Sequence, residues 1–404
     1  MRITPCLPGV LATLAAFGAS MPRAAHAQAP ADSARAAAAQ APSVGGQIFG
    51  SYSFQPQPSG DPAASEVDNA FVIDRASLIV RVPAGEHTSL RLTTDVYQGT
   101  ETNANAYSVR VKHAFLQYAT PVGSAGGALS GRIGLVPNVI LESVEPFFPR
   151  FFAQSPTERA GFFSSADAGI AAHLTLPDAW GTTYAMVVNG PGYQSRERDR
   201  FKDFALGAMI TPLAQRTAAS SWLHTLSLSA WTYRGSVASA FAMPAPGQVV
   251  TVGSAMDRSR AGVGIGIRDP RLTASVSFDQ RHEDTEGGLD TPVSPRTVGD
   301  VTGRVASASI VAKVVDLLSG GSSHSSMRLV ARYDDIRPHA ASSGAGSAGL
   351  PGDHYHFLVA GAMWDLSSQA QVALDYQESL PPRDDLAAAG TRLKGWFAHF
   401  NVTF

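Results

Sequence analysis

Apolar and polar residues take turns along the last segment of this chain: Trp396, Ala398, Phe400, Val402 and Phe404 alternate with Phe397, His399, Asn401 and Thr403. A period of two gives a strand one nearly apolar face and one mostly polar face. The edge strand of a soluble sandwich would alternate in the same way, so the reading depends on repetition. The pattern does recur, in segments near 46–55, 69–83, 87–98, 107–120, 128–135, 166–176, 180–189 and 202–212. It continues near 222–233, 257–268, 271–283, 303–315, 325–335, 354–366, 369–379 and 392–404. The spacing predicts about sixteen strands, most near the roughly 10 residues that a tilted strand needs to cross hydrocarbon.

The links between segments sharpen this expectation. Pro83-Ala84-Gly85-Glu86, Pro177-Asp178-Ala179, Asp269-Pro270 and Ser367-Ser368 are tight turns, and they alternate with long Gly-, Ser- or Pro-rich stretches. Short turns at one end and long loops at the other, with both termini on the short-turn side, describe an all-β transmembrane antiparallel barrel occupying residues 46–404. A solenoid or propeller would require a repeated motif, and none is found.

Charge assigns the faces, because an Arg or Lys on the lipid side at the membrane midplane costs about 2 to 4 kcal/mol. Arg75, Ser77 and Arg81 are therefore expected inward, with Val72, Ala76, Leu78, Val80 and Val82 toward lipid. By the same rule Arg91, Asp95, Arg132, Asp279, Arg281, Lys313, Arg328, Arg332, Gln371 and Asp375 point into the lumen. One segment resists the rule: Arg110 and Lys112 share a face with Ala114, Leu116 and Tyr118, which places Arg110 at the outer rim among headgroups.

The amino end points to export. Arg2 precedes an apolar run from Val10 to Ala19, and Ala25-His26-Ala27 offers the small-x-small cleavage pattern, so residues 1–27 read as a signal peptide. Residues 28–45, rich in Ala, Pro and Gln without apolar periodicity, read as a flexible periplasmic leader, too short for the plug of a TonB-dependent transporter. Beyond the signal no stretch reaches the roughly 18 apolar residues of a membrane helix. Composition agrees: 16% charged residues is lean against roughly 25% in soluble domains, and 38 glycines with 26 prolines disfavour a large helical core. Cys6 is the sole cysteine and precedes the apolar run, which leaves the mature chain without a disulfide, thiol catalyst or cysteine metal site. Cleavage removes Arg2 and Arg23 from the 31 basic residues and none of the 33 acidic ones, and a slightly acidic chain suggests no nucleic-acid partner.

The longest link, 136–165, carries Glu142, Glu145, Arg150, Glu158 and Arg159 among paired phenylalanines at 147–148, 151–152 and 162–163. So much apolar content in a loop of about 30 residues calls for a surface to pack on, and the inner wall is the nearest. Folded inward, the loop would constrict the lumen. An external loop covering a trimer interface is the alternative.

Several short motifs then come together: Phe71-Val72-Ile73-Asp74-Arg75-Ala76, Val111-Lys112-His113-Ala114-Phe115-Leu116, Gly131-Arg132-Ile133-Gly134, Asn189-Gly190-Pro191-Gly192 leading to Lys202, and terminal Phe404. In this order they resemble the phosphate-selective porin O and P family. The resemblance implies a sixteen-stranded channel, often trimeric, with an inward third external loop and a basic lumen for anions. It departs from the family in having only four lysines and acids such as Asp95, Glu142 and Glu145 beside the lumen.

The expected function is passive diffusion of small hydrophilic solutes, with phosphate-like inorganic anions among them, through a barrel in the bacterial outer membrane. Selectivity would lie with lumen charges, and no cofactor, catalytic residue or metal is called for. Partners would be outer-membrane lipid, the barrel assembly machinery through the strand ending at Phe404, and copies of the chain in a homotrimer. Two other readings stay open: an outer-membrane hydrolase, and a non-conducting structural or adhesive barrel. For the first, the clusters His282-Glu283-Asp284 and Asp353-His354 with His356 read as solvated loop mouths without metal-ligand spacing, and no nucleophile turn of the Gly-x-Ser-x-Gly type sits between a strand and a helix.

Overall fold

Within lipid, backbone N–H and C=O groups find no water, so a chain that crosses as strands must pair every strand on both sides and close. A computed structural model describes residues 41–56, 67–98, 107–123, 126–197, 199–218, 221–238, 255–287, 297–319, 326–343, 354–380 and 393–404. In it sixteen antiparallel strands form one closed barrel, each paired with its neighbours in sequence and β1 with β16. They are β1 (Ser43–Pro56), β2 (Val67–Pro83), β3 (Thr88–Gln98), β4 (Tyr107–Val122), β5 (Gly127–Pro137), β6 (Ala166–Leu176), β7 (Gly181–Val188) and β8 (Asp203–Ile210). The second half is β9 (Ser227–Ala238), β10 (Ala255–Asp269), β11 (Leu272–Gly287), β12 (Thr297–Ala312), β13 (Met327–Ser343), β14 (Tyr355–Asp365), β15 (Ala370–Leu380) and β16 (Lys394–Thr403). No described helix is long and apolar enough to cross a membrane. The signal-peptide expectation lies outside the described residues. So does most of the leader, whose expected end at 45 is corrected because β1 already begins at Ser43.

The seam between β1 and β16 runs from Gln47 opposite Thr403 to Phe54 opposite Trp396. The backbone N–H of Phe404 donates to the carbonyl of Gly46 at 3.1 Å, which ties the end of the chain into the seam. Trp396, Phe400, Val402 and Phe404 face outward and are exposed, while Phe397, His399 and Asn401 are buried inside. The same division holds around the wall: Leu90, Leu92, Leu116, Ile133, Val263, Val276, Phe278, Ile310, Leu329 and Leu374 form an exposed apolar belt. Such a belt suits hydrocarbon rather than water.

The links do not alternate as cleanly as the sequence suggests. On the short-turn side, the link from β8 to β9 includes a 3-10 turn at Trp222–Thr225, and that from β12 to β13 includes helix Val314–Leu318. Both correct an expected strand end. Residues 222–225 curl because Ser221 accepts a hydrogen bond from the Leu223 N–H. The strand expected to reach Val315 stops at Ala312, so Lys313 stands beyond the wall as the residue preceding that helix, not as a lumen residue within a strand.

Two bulges correct the face assignments. Thr93 pairs with His113 and Thr94 with Val111, leaving Lys112 as an extra residue of β4. A bulge of this kind shifts the side-chain alternation by one position. Tyr107, Val109 and Val111 face out before it and Leu116 and Tyr118 after it, so Arg110 turns inward opposite Asp95 instead of reaching the headgroups. On β2 the register slips between the pairs Phe49–Arg75 and Ser51–Val72, which puts Val72 opposite buried Ser51 and thus inside, and exposes Phe71. A third irregularity, between β12 and β13, lies next to Pro338, which has no N–H to offer a ladder.

The bulge at Lys112 generates a labelling test in a Cys6→Ser background. Cysteine at 110 is expected to react with a water-soluble thiol reagent, whereas a fluorophore attached to cysteine at 109 or 111 should be quenched by brominated lipid. The opposite pattern would mean that Arg110 faces lipid.

Candidate functional site

A long link inside the barrel must satisfy its own backbone and bury its apolar side chains. Residues 138–165 do both against the lumen wall. The Asn138 side chain caps helix α1 (Val139–Val144), accepting from the N–H groups of Ile140 and Leu141. Ser155 caps the short helix α2 (Pro156–Arg159) by accepting from Glu158 N–H, with Pro156 in the first position, where its missing N–H costs nothing. Val139, Ile140, Leu141 and Phe162 are sealed from solvent. Phe163 meets Trp231 and Tyr233 edge-on at 5.2 and 5.3 Å, and Phe151 and Phe152 pack around His399 on β16. The wall makes room: a Cβ on Gly266 of β10 would stand 2.3 Å from the Phe147 ring.

Polar contacts fix the loop from several sides. Arg132 of β5 donates to both Glu142 oxygens, at 2.7 and 3.0 Å, and to Gln117 at 3.0 Å; His173 of β6 lies 3.4 Å from the same carboxylate. Arg332 of β13 bonds Asp334 at 2.6 Å, both sealed from solvent, and donates to the Gln154 carbonyl at 2.6 Å. Gln377 donates to the Phe152 carbonyl at 3.0 Å, Arg260 to that of Phe162, and Arg281 to that of Gly161 at 3.5 Å, while Arg281 also ties to the Pro338 carbonyl of β13 at 3.0 Å. Within the loop Arg150 bridges Glu145 and Glu158, the latter at 2.6 Å. Arg159 lies over the Phe357 ring at 3.6 Å and donates to Ser379 at 3.2 Å.

The residues singled out from sequence therefore do not form one ring. Arg281, Arg328 and Arg332 are engaged in holding the wall or the loop, Arg328 with Asp365 at 2.6 Å. Of the loop acids only Glu142 meets a wall arginine; Glu145 and Glu158 are taken by Arg150. A second group does come together, on β2 to β5. Arg75 and Arg110 flank buried Asp95 at 3.1 and 3.3 Å, and Arg81 pairs directly across from Arg91 in the sheet. Arg91 bonds Thr93 at 3.1 Å; among the described residues neither it nor Arg81 has a carboxylate within ion-pair distance. Arg110 and Lys112 escape a face assignment that assumes unbroken alternation along β4. The break in apolar parity between Val111 and Ala114 is the one signal that could have revealed them.

Loop seating generates the next expectation. Gly266→Leu should expel Phe147 and loosen residues 138–165 while the barrel stays closed. Limited proteolysis should then cut this loop in the folded, heat-modifiable form, where the unaltered chain resists.

No protein-family model matches the chain, and no curated protein matches it by sequence. Solved structures do match in shape. The outer membrane channel DcaP of Acinetobacter baumannii aligns at a TM-score of 0.54 and 11% identity over 90% of this chain and 96% of that one. An anion-selective porin from Comamonas acidovorans aligns at 0.52 and 10% identity, over 90% and 99%. OmpT of Vibrio cholerae in its trimer form aligns at 0.51 and 11% identity, over 90% and 98%. With the closed sheet and the exposed apolar belt, these likenesses identify a sixteen-stranded outer-membrane barrel of porin architecture.

Proposed function

We propose that the chain is a diffusion channel for small hydrophilic solutes that favours anions. The observation that carries this reading is the Arg81–Arg91 pair on the inner wall. Like charges directly opposite across a sheet are destabilising, and among the described residues no carboxylate lies within ion-pair distance of either. Their neighbours add to the field: Arg75, Arg110 and Lys112 are set around Asp95, and Arg132 with Glu142 lies two strands away. Guanidinium groups grip oxyanions with paired N–H donors, so phosphate-like anions are the solutes best suited to this wall. The inserted loop narrows the passage and sets its opposite side. The anion-selective porin from Comamonas acidovorans and the trimer form of OmpT add support for anion preference and for a homotrimer, respectively. No covalent step enters this reading.

Planar-bilayer recording tests it. In a salt gradient the refolded protein should give discrete steps with a reversal potential favouring anions, and R81E/R91E should move that potential toward cations at similar conductance. Cation preference in the unaltered protein would remove the anion claim. Absence of any conductance from a folded barrel would turn the reading to a non-conducting barrel.

The loop carboxylates add a pH expectation. Burial opposes ionisation of Glu142, but His173 and Arg132 outweigh it and hold its pKa below the ordinary value of 4.5. Burial likewise opposes ionisation of Glu158, and Arg150, with Ser155, outweighs it. A depressed carboxylate stabilises the folded arrangement fully above its ordinary pKa, and that stabilisation is lost as pH falls through the lower, folded value. Step size should thus be constant from neutral pH down to the ordinary carboxylate range and become larger and noisier below it, as the loop leaves the wall.

A further inference from the structure

On β13 the inward residues are Val330, Arg332, Asp334 and Ile336, all buried, so the residues between them face away from the lumen. Tyr333 is one of these and is exposed; Asp335 is the next toward the long-loop end. Asp335 pairs in register with His356 near the start of β14, and His354 lies just before that strand. Among the described residues, neither histidine meets a third ligand in its own segment. The neighbouring strand supplies it, which a reading by sequence spacing could not find.

We propose that Asp335, His354 and His356 form a binding site for a first-row transition-metal dication of the zinc class on the outer surface of the barrel, at its long-loop rim. His354 Nε2 lies 3.2 Å and His356 Nδ1 3.6 Å from the same Asp335 oxygen, and one ligand atom from each residue falls within 4.8 Å of the others. Tetrahedral zinc holds nitrogen and carboxylate ligands at about 2.0 to 2.2 Å, hence about 3.3 to 3.6 Å from one another, so side-chain rotation of about an ångström closes the site. Two imidazoles and one carboxylate favour zinc, nickel or copper over calcium and magnesium, which take oxygen. Three protein ligands leave a position for water.

The surroundings support the geometry. Tyr333 stacks on the His356 ring at 5.5 Å and 18°, which holds the ring plane, and its hydroxyl lies 2.7 Å from Nδ1, the position an incoming dication would take over from it. Arg337 bonds the Asp335 carboxylate at 2.9 and 3.2 Å and neutralises it in the absence of an ion; a dication would compete with that guanidinium. Asp335 and His356 form the last pair but one of the β13–β14 ladder at its long-loop end, and exposed Tyr333 beside them is the kind of aromatic residue that marks the membrane interface, where a charged site avoids the cost of hydrocarbon. Because they face away from the lumen, the site is independent of the channel reading.

Zinc titration of the refolded full barrel in detergent, against a chromophoric chelator, tests the proposal. The unaltered protein should bind one equivalent that is lost or weakened at least about tenfold in H354A/H356A and in D335N, with heat-modifiable mobility confirming that each variant is folded. R337A should bind as tightly or more tightly, and a large excess of magnesium should not compete. Equal zinc binding by the unaltered protein and folded H354A/H356A, or no zinc binding by the unaltered protein, would overturn the assignment.

Discussion

Everything in this molecule depends on one requirement, that no strand be left with an unpaired edge in lipid. The register from Gln47–Thr403 to Phe54–Trp396 meets it. Once that seam is made, each strand has a fixed inner and outer face, because a one-residue slip would turn every side chain over. The apolar belt, the buried lumen network and the loop's seat on the wall all inherit their positions from it. An ion pair such as Arg332–Asp334 is tolerable in so dry a place because the Gln154 carbonyl and the Ser307 hydroxyl take up part of the remaining bonding capacity.

The loop and the wall are mutually fitted. Phe147 fits where Gly266 has no side chain, and Phe163 fits between Trp231 and Tyr233. Its charges are largely settled before they face the passage, Glu145 and Glu158 by Arg150 and Glu142 by Arg132. On the wall, Arg81 and Arg91 stand across from each other, and among the described residues neither has a carboxylate within ion-pair distance. The division is thus between arginines that hold the loop, such as Arg332 and Arg260, and arginines that do not touch it, such as Arg81 and Arg91.

Much of the architecture could be read from alternation alone. All sixteen segments are strands, and the outward set Leu90, Leu92, Ile133, Val276, Phe278 and Leu374 faces the belt as periodicity requires. Alternation misleads where backbone geometry breaks the period. The segment 222–233 looks like strand from its first residue because a capped 3-10 turn can be as apolar as a strand end. Arg110 and Val72 lie on the faces opposite to those that parity predicts, because an extra residue shifts the count. The candidate site was less legible still. Which arginine is free depends on acids brought in from other strands and from the loop, and the partners of Glu142 and of His354 are separated from them in sequence.

The extra residue at Lys112 has an evolutionary corollary. Val111 faces outward before the bulge and His113 inward after it, so removing Lys112 would leave an unbroken alternation in which no other residue of β4 changes face. In a stretch of wall without such a bulge a single-residue insertion or deletion would turn half a strand inside out. At this position the lumen can gain or lose a cation through an indel while the register on either side is preserved, which makes the bulge a site where the pore's charge can drift between lineages without rebuilding the sheet.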